Sequence, residues 1–270
     1  MDKILLKKSC NISCYIFTVL STILGILGFT IRDISDKLKW WSCLVILFLS
    51  FLAICAITFG ILKSLKHSGY STNINGKQVS IIIGDLFETN GWKVIPFNER
   101  FDTQVDDKII SHNSLNGIMI DKYISDVNDL NQVIKDAQND NSEFKSKEKN
   151  GRLYYPLGRI IPYNDFLLLA LSHFDNQNRA YIGVGEYEQL LIRMWTEIRR
   201  VYAGNPICIP LIGAGITDIL GENEKDYTKM LKCILCTLRN SKFKPEKGIT
   251  IVLTQDMANK INMSIIREEF

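Results

Sequence analysis

Pro206-Ile-Cys-Ile-Pro-Leu-Ile-Gly-Ala-Gly-Ile216 is a short apolar run that stops in two glycines one residue apart, and the reading of the whole chain turns on it. Its isoleucines, bounded by a proline and the glycines, mark a buried strand. Downstream, residues 224–241 carry Tyr227, Met230, Leu231, Ile234, Leu235 and Leu238 at helical spacing, so Gly213 and Gly215 are expected on a strand-to-helix turn. Glycine admits backbone N–H groups close to an anion with no Cβ in the way, and the first turn of a helix adds free amides and a positive dipole end. Phosphate is the ligand such a turn suits. A tight turn in any α/β domain would use the same residues, because one Gly-x-Gly pair is weak on its own.

Working outward, residues 248–253 read as a last strand, and a terminal helix starts near Asp256. Residues 186–202 form the most amphipathic helix, with Leu190, Leu191, Met194, Trp195, Ile198 and Val201 on one stripe. Residues 79–83, 93–97, 157–163 and 165–173 read as strands, the first two apolar enough to be buried on both faces. Residues 127–138 read as a helix, whereas 99–113 and 139–151 are polar and loop-like. Strands alternating with helices predict an α/β domain with a mixed sheet between two helical layers, and about 190 residues is ample for one such domain.

The amino-terminal part is different. The chain is 46% hydrophobic, and the excess sits at one end, where residues 9–31 and 40–62 hold no charged residue. Each run is long enough to cross a hydrocarbon core of about 30 Å as a helix. The expectation is a transmembrane hairpin over residues 1–66, then a polar linker over 67–78, then a ligand-binding domain over 79–270. A cleaved signal peptide fits less well, because the first run is too long and a second follows at once. The short loop 32–39 forces antiparallel spans; Lys3, Lys7, Lys8, Lys63 and Lys66 outside the runs favour the cytoplasmic side of a bacterial inner membrane for both chain ends, while Arg32, Lys37 and Lys39 in the loop pull the other way.

Charge and cysteines narrow the partners. The formal net charge of +3 is scattered and leaves no nucleic-acid footprint. The 7 cysteines lack the paired spacing of a disulfide framework, which suits a reducing compartment. His112 and His173 stand apart from any partner spacing of a catalytic set, and the lone Cys233-x-x-Cys236 reads as packing rather than a metal site. No metal, cofactor or catalytic group is assigned.

The order of parts resembles a macro domain, the module that binds ADP-ribose, over roughly Val79 to Leu253. Ile83-Gly84-Asp85-Leu86-Phe87 is similar to the family's strand-end element, whose aspartate receives the adenine amino group. Val94-Ile95-Pro96-Phe97-Asn98 is similar to its second strand, whose asparagine lies beside the distal ribose. Residues 210–216, with Leu211, Gly213, Ala214, Gly215 and Ile216, are similar to its diphosphate-binding loop. Asp85 also suits a turn, and Asn98 equally suits a cap on the segment that follows it. Both readings of Asn98 stay open.

Macro domains that hydrolyse ADP-ribosyl bonds carry a run of glycines soon after that asparagine. Here residues 99–110 hold none. Asp102, Asp107 and Ile109 are expected to contact ligand and neighbour from this substituted loop, although a solvated loop fits its charges too. The loop and the preceding apolar runs resemble the membrane-anchored macro-domain effectors of Thoeris antiphage defence. That resemblance implies an ADP-ribose-derived signal, of the histidine-conjugated type, made by a TIR-domain partner. It further implies assembly into a homo-oligomer that acts on membrane lipid, without enzymatic activity. An anchored ADP-ribosyl hydrolase and a protein-binding adaptor are the competing classes.

Overall fold

A computed structural model describes residues 3–26, 40–67, 69–175, 177–221 and 224–270. The chain divides into two compact units, Met1–Ser68 and Gly69–Phe270.

The first unit pairs helix α1 (Lys3–Ile26) with helix α2 (Trp40–His67). Its seam is polar. The Ser9 hydroxyl donates to the Cys55 carbonyl at 3.1 Å, and Thr58 Oγ1 lies 2.9 Å from Ser9 Oγ and 2.8 Å from Ser13 Oγ. Phe17 meets Phe51 edge-on, with ring centroids 5.7 Å apart. Val45, Phe48, Leu49 and Ile57 are each more than half exposed on α2. Among the described residues, no helix is long and apolar enough to cross a membrane. This overturns the expected pair of spans and the multi-pass inner-membrane placement that followed from them. Charge-free length was the basis of that expectation, yet α1 begins among lysines and turns hydroxyl groups toward its partner helix. The loop 32–39, expected to reverse the chain, lies outside the described residues.

The second unit is built on a mixed sheet of nine strands among the described residues. In chain order these are β1 (Tyr70–Ile74), β2 (Lys77–Ile83), β3 (Trp92–Asn98), then β6 (Ile160–Tyr163), β7 (Phe166–Phe174), β8 (Ala180–Gly183), β9 (Ile207–Pro210), β10 (Asp218–Leu220) and β11 (Ile249–Leu253). The spatial order is β1-β2-β11-β9-β3-β7-β8-β10, with β6 also paired to β7. Strands β2, β11, β9, β3 and β7 are mutually parallel, so their carboxyl ends share one edge. Two short strands, β4 (Lys147–Lys149) and β5 (Arg152–Tyr154), make a separate hairpin.

The apolar runs fold as strands buried on both faces because alternate side chains enter different cores. Along β7, Leu167, Leu169 and Leu171 join one cluster, while Phe166, Leu168 and Ala170 join the other. Helices α5 (Val184–Val201) and α6 (Tyr227–Ser241) cover the first face. Leu190, Leu191, Met194, Trp195 and Ile198 of α5 are fully buried there, each stabilising by about 1.5–3 kcal/mol. Helices α3 (Leu115–Tyr123) and α4 (Val127–Asp136) cover the second face with Met119, Ile120, Leu130 and Ile134. The predicted α/β layering is observed.

Local expectations differ in three places. The linker 67–78 is mostly β-structure: β1 and β2 pair across Asn75 and Gly76, whose φ of 56° and 79° suit a tight hairpin turn. The polar stretch 139–151 likewise contains β4, turned into β5 at Asn150-Gly151, with φ of 53° and 70°. Most consequential for the site, the glycine turn does not open onto a helix. Strand β10 intervenes, pairing in parallel with β8, and α6 starts only at Tyr227, capped by Asp226. Ile219 is buried on β10, which is why the chain stays extended there.

Candidate ligand-binding site

The shared edge of the parallel strands opens into a cavity of about 880 Å³. Ligand pockets typically measure ~300–1,000 Å³ and, in open α/β sheets, form beyond the carboxyl ends of the strands. Each parallel strand contributes its end: Ile83 to Asp85 from β2, Asn98 from β3, Ser172 from β7, Pro210 onward from β9, and Val252 with Thr254 from β11.

The β9 wall is the glycine loop. Gly213 has φ +79°, a left-handed conformation that Cβ-bearing residues resist, and a Cβ there would stand 3.1 Å from Met230 and 3.2 Å from Tyr187. The Tyr187 hydroxyl donates to the Ile212 carbonyl at 2.7 Å, tying the loop to α5. Around Gly215 there is open space, with nothing within 4 Å of an added Cβ. The Ala214 amide is turned inward to the Leu211 carbonyl. Among the described residues, the amides of Gly213, Gly215 and Ile216 have no protein acceptor, which leaves them for an anion.

Along the opposite wall, residues 99–110, the amides from Asp106 to Ile109 are bonded within the loop. Asn98 Oδ1 accepts from the Arg100 amide at 3.0 Å and the Asp102 amide at 3.2 Å. Asp106 Oδ1 accepts from Lys108 at 2.9 Å and Ile109 at 2.7 Å, and these bonds, that from Ile109 foremost, hold its carboxyl below the usual range. The amides of Asp106 and Asp107 reach the Ile110 carbonyl. Ile109 and Ile110 therefore face the cavity as apolar side chains rather than as a second row of donors.

The sequence-derived residues divide accordingly. Asp85, Leu86, Asn98, Ile109, Leu211, Gly213, Gly215 and Ile216 line the cavity. Asp85 Oδ1 accepts from the Phe87 amide at 2.9 Å, so the carboxylate shapes its turn while its other oxygen has no protein partner among the described residues. Ala214 is buried and takes no part in the lining. Asp102 is turned to Asn98 and Arg100, and Asp107 lines a smaller neighbouring cleft of about 620 Å³. Those three do not join the main cavity.

Several lining residues had escaped sequence reasoning. The amino end of α3 contributes Ser114, Leu115, Asn116 and Ile118, and Tyr123 closes that side, stacked on Phe87 with centroids 4.9 Å apart. The helix is short and follows a polar stretch, so its period was not visible; Ser114, which caps it by accepting from the Gly117 amide, was the available signal.

His173 is less isolated than its sequence suggests. Its Nδ1 lies 2.7 Å from Glu99 Oε2 and its Nε2 lies 3.3 Å from Glu186 Oε1. The bond to Glu99 above all raises its pKa from the ordinary histidine value. Among the described residues no group of His, Cys, Asp or Glu is arranged to hold a metal ion. Burial pushes the Cys233 thiol up to about 12, away from the thiolate a metal would need.

Comparisons with known proteins point to one family. The profile of the family described as Thoeris protein ThsA, Macro domain, matches residues 79–254. The Thoeris protein ThsA of Bacillus amyloliquefaciens (strain Y2) is 34% identical over 276 residues, covering 99% of this chain and 90% of that protein. A macrodomain variant from Oceanobacillus iheyensis superposes with a TM-score of 0.50 at 16% identity, over 74% of this chain and 97% of that one, which is a likeness of fold. The profile spans the strands that build the cavity and the relative spans nearly the whole chain: this protein belongs to the Thoeris ThsA macro-domain family.

Proposed function

We propose that this protein is a receptor and effector in Thoeris antiphage defence whose cavity captures an ADP-ribose-derived signal and holds it uncleaved. The observation that carries this reading is the asymmetry of the two walls. The Gly213–Ile216 loop offers free amides to a diphosphate, whereas the facing loop has the amides of Asp106 to Ile109 bonded internally and offers no glycine for close approach to the distal ribose. Binding is favoured over turnover. The adenine end is assigned to Asp85 and Leu86, the diphosphate to the glycine loop, and the distal ribose to the neighbourhood of Asn98 and Ile109. A TIR-domain enzyme supplies the signal, histidine-conjugated ADP-ribose being the form assigned, and occupancy is relayed through assembly of copies of the chain. Such a relay requires that ligand bind the assembled state more tightly than the free one.

The test is incubation of the full-length protein with ADP-ribose and with histidine-ADP-ribose, reading ligand integrity by mass spectrometry and particle size by light scattering. Intact ligand together with a larger particle supports the proposal. Cleaved ligand supports a hydrolase instead, and a folded protein that binds neither compound supports an adaptor.

A further inference from the structure

Beyond the lining residues, the glycine loop has a cation behind it. Lys225 returns to the loop after β10, and its ammonium donates to the Gly215 carbonyl. The lysine is half-buried and lines neither the main cavity nor the neighbouring cleft, so the bond it makes to the loop lies outside both linings. In a trans peptide the C=O and the following N–H point in opposite directions. A Gly215 carbonyl bonded outward therefore directs the Ile216 N–H toward the cavity, where Gly215 and Ile216 both form the lining.

We propose that Lys225 is a positioning residue for anion binding: it fixes the Gly215–Ile216 peptide with its N–H aimed at the ligand and sets one positive charge behind that peptide. This rests on the reading of the cavity as a diphosphate site. Gly215 tolerates several backbone conformations because it lacks a Cβ, so without an outer anchor its peptide is free to turn over. The anchor replaces the helix amino terminus that the sequence led one to expect at this turn, since β10 occupies that place. Burial lowers the Lys225 pKa from the ordinary lysine value, with Asp218 acting in the opposite sense. The cation is therefore lost earlier on alkalinisation than an exposed lysine.

The experiment is titration of ADP-ribose into the full-length protein, Lys225→Met and Lys225→Arg, each at neutral pH and at a series of values rising toward pH ~10. Lys225→Met should bind about tenfold more weakly, the scale of losing one hydrogen bond to a charged group. Lys225→Arg should restore affinity, and should hold it at alkaline pH where the wild-type protein weakens. Circular dichroism on all three checks the fold. Wild-type affinity in Lys225→Met, or identical pH profiles for wild type and Lys225→Arg, would overturn the assignment. A wild-type protein that binds no ADP-ribose would instead sink the reading of the cavity on which it rests.

Discussion

The side-chain amide of Asn98 donates to Asp102 Oδ2 at 2.8 Å, which binds the residue ending β3 to the loop that follows it. Asp102 also receives Arg100 Nε at 2.9 Å and Nη2 at 2.7 Å, and the guanidinium sits over the Phe174 ring, 5.6 Å from its centroid. Asn98 is only 4% exposed, so the bonds of its side-chain amide satisfy a buried polar group. Of the two roles left open for Asn98, the cap is the one its bonds describe.

Removing this contact should loosen the wall rather than remove a catalyst. Asn98→Ala is expected to lower stability by about 1–3 kcal/mol. Asn98→Asp should cost more at neutral pH, because a second carboxylate would stand against Asp102, and the deficit should shrink on acidification as one of the pair takes a proton. Thermal melts of both variants at pH 5 and pH 7.5 check this; an Asn98→Asp variant as stable as wild type at pH 7.5 would contradict it.

The two glycines of the loop should fail in different ways. Gly215→Val places its side chain in open space beside the cavity, so ADP-ribose binding should be lost with the melting temperature nearly unchanged. Gly213→Val meets Tyr187 and Met230 and forces a left-handed backbone, so binding and stability should fall together, the backbone alone costing about 1–2 kcal/mol. Paired melts and titrations distinguish them. Equal stability of the two variants would remove the distinction.

The Glu99–His173–Glu186 cluster predicts a pH dependence of stability. An imidazole donates from both nitrogens only when protonated, and the folded protein raises the His173 pKa, chiefly through Glu99. A raised folded pKa means the stabilisation is fully present below the unfolded value of about 6.5 and is lost as pH rises through the higher folded value. His173→Gln should therefore cost most at pH 6 and least at pH 9 in chemical denaturation. A cost independent of pH would show that the cluster acts by packing alone.

Selectivity for the base should reside at Asp85. An unengaged carboxylate oxygen accepts the amino group of adenine but repels the carbonyl of hypoxanthine. The wild-type protein should prefer ADP-ribose to its inosine analogue, and Asp85→Asn should erase most of that preference. Since Asp85 also anchors the Phe87 amide, Asn, which keeps an acceptor for that bond, is a better probe than Ala. Undiminished discrimination in Asp85→Asn would move base recognition elsewhere in the cavity.

Much of the fold was legible because β7 and α5 carry patterns that only one burial can satisfy: alternate residues of β7 enter opposite cores, and the α5 stripe meets one of them. The Gly-Asp, Pro-Phe-Asn and Gly-Ala-Gly segments stood out by their resemblance to macro-domain motifs, and each lies at or just past the carboxyl end of a parallel strand that opens on the cavity. The hairpins at Asn75-Gly76 and Asn150-Gly151 also had their turn signal in plain view, but polar flanks disguised the strands. Pairings such as Lys225 with Gly215 and His173 with Glu99 left no local pattern, since tertiary folding alone brings those residues together. The membrane placement rested on charge-free length, a count that the hydroxyl-bearing residues of α1 also satisfy, and among the described residues no helix is long and apolar enough for a span.

The most direct measurement is calorimetric titration of the full-length protein and its Gly215→Val variant with ADP-ribose, followed by chromatography of the recovered ligand. The account predicts saturable binding at one site per chain by the wild-type protein, none by the variant, and ligand recovered intact. Binding that survives Gly215→Val, or ligand recovered as cleaved products, would contradict it.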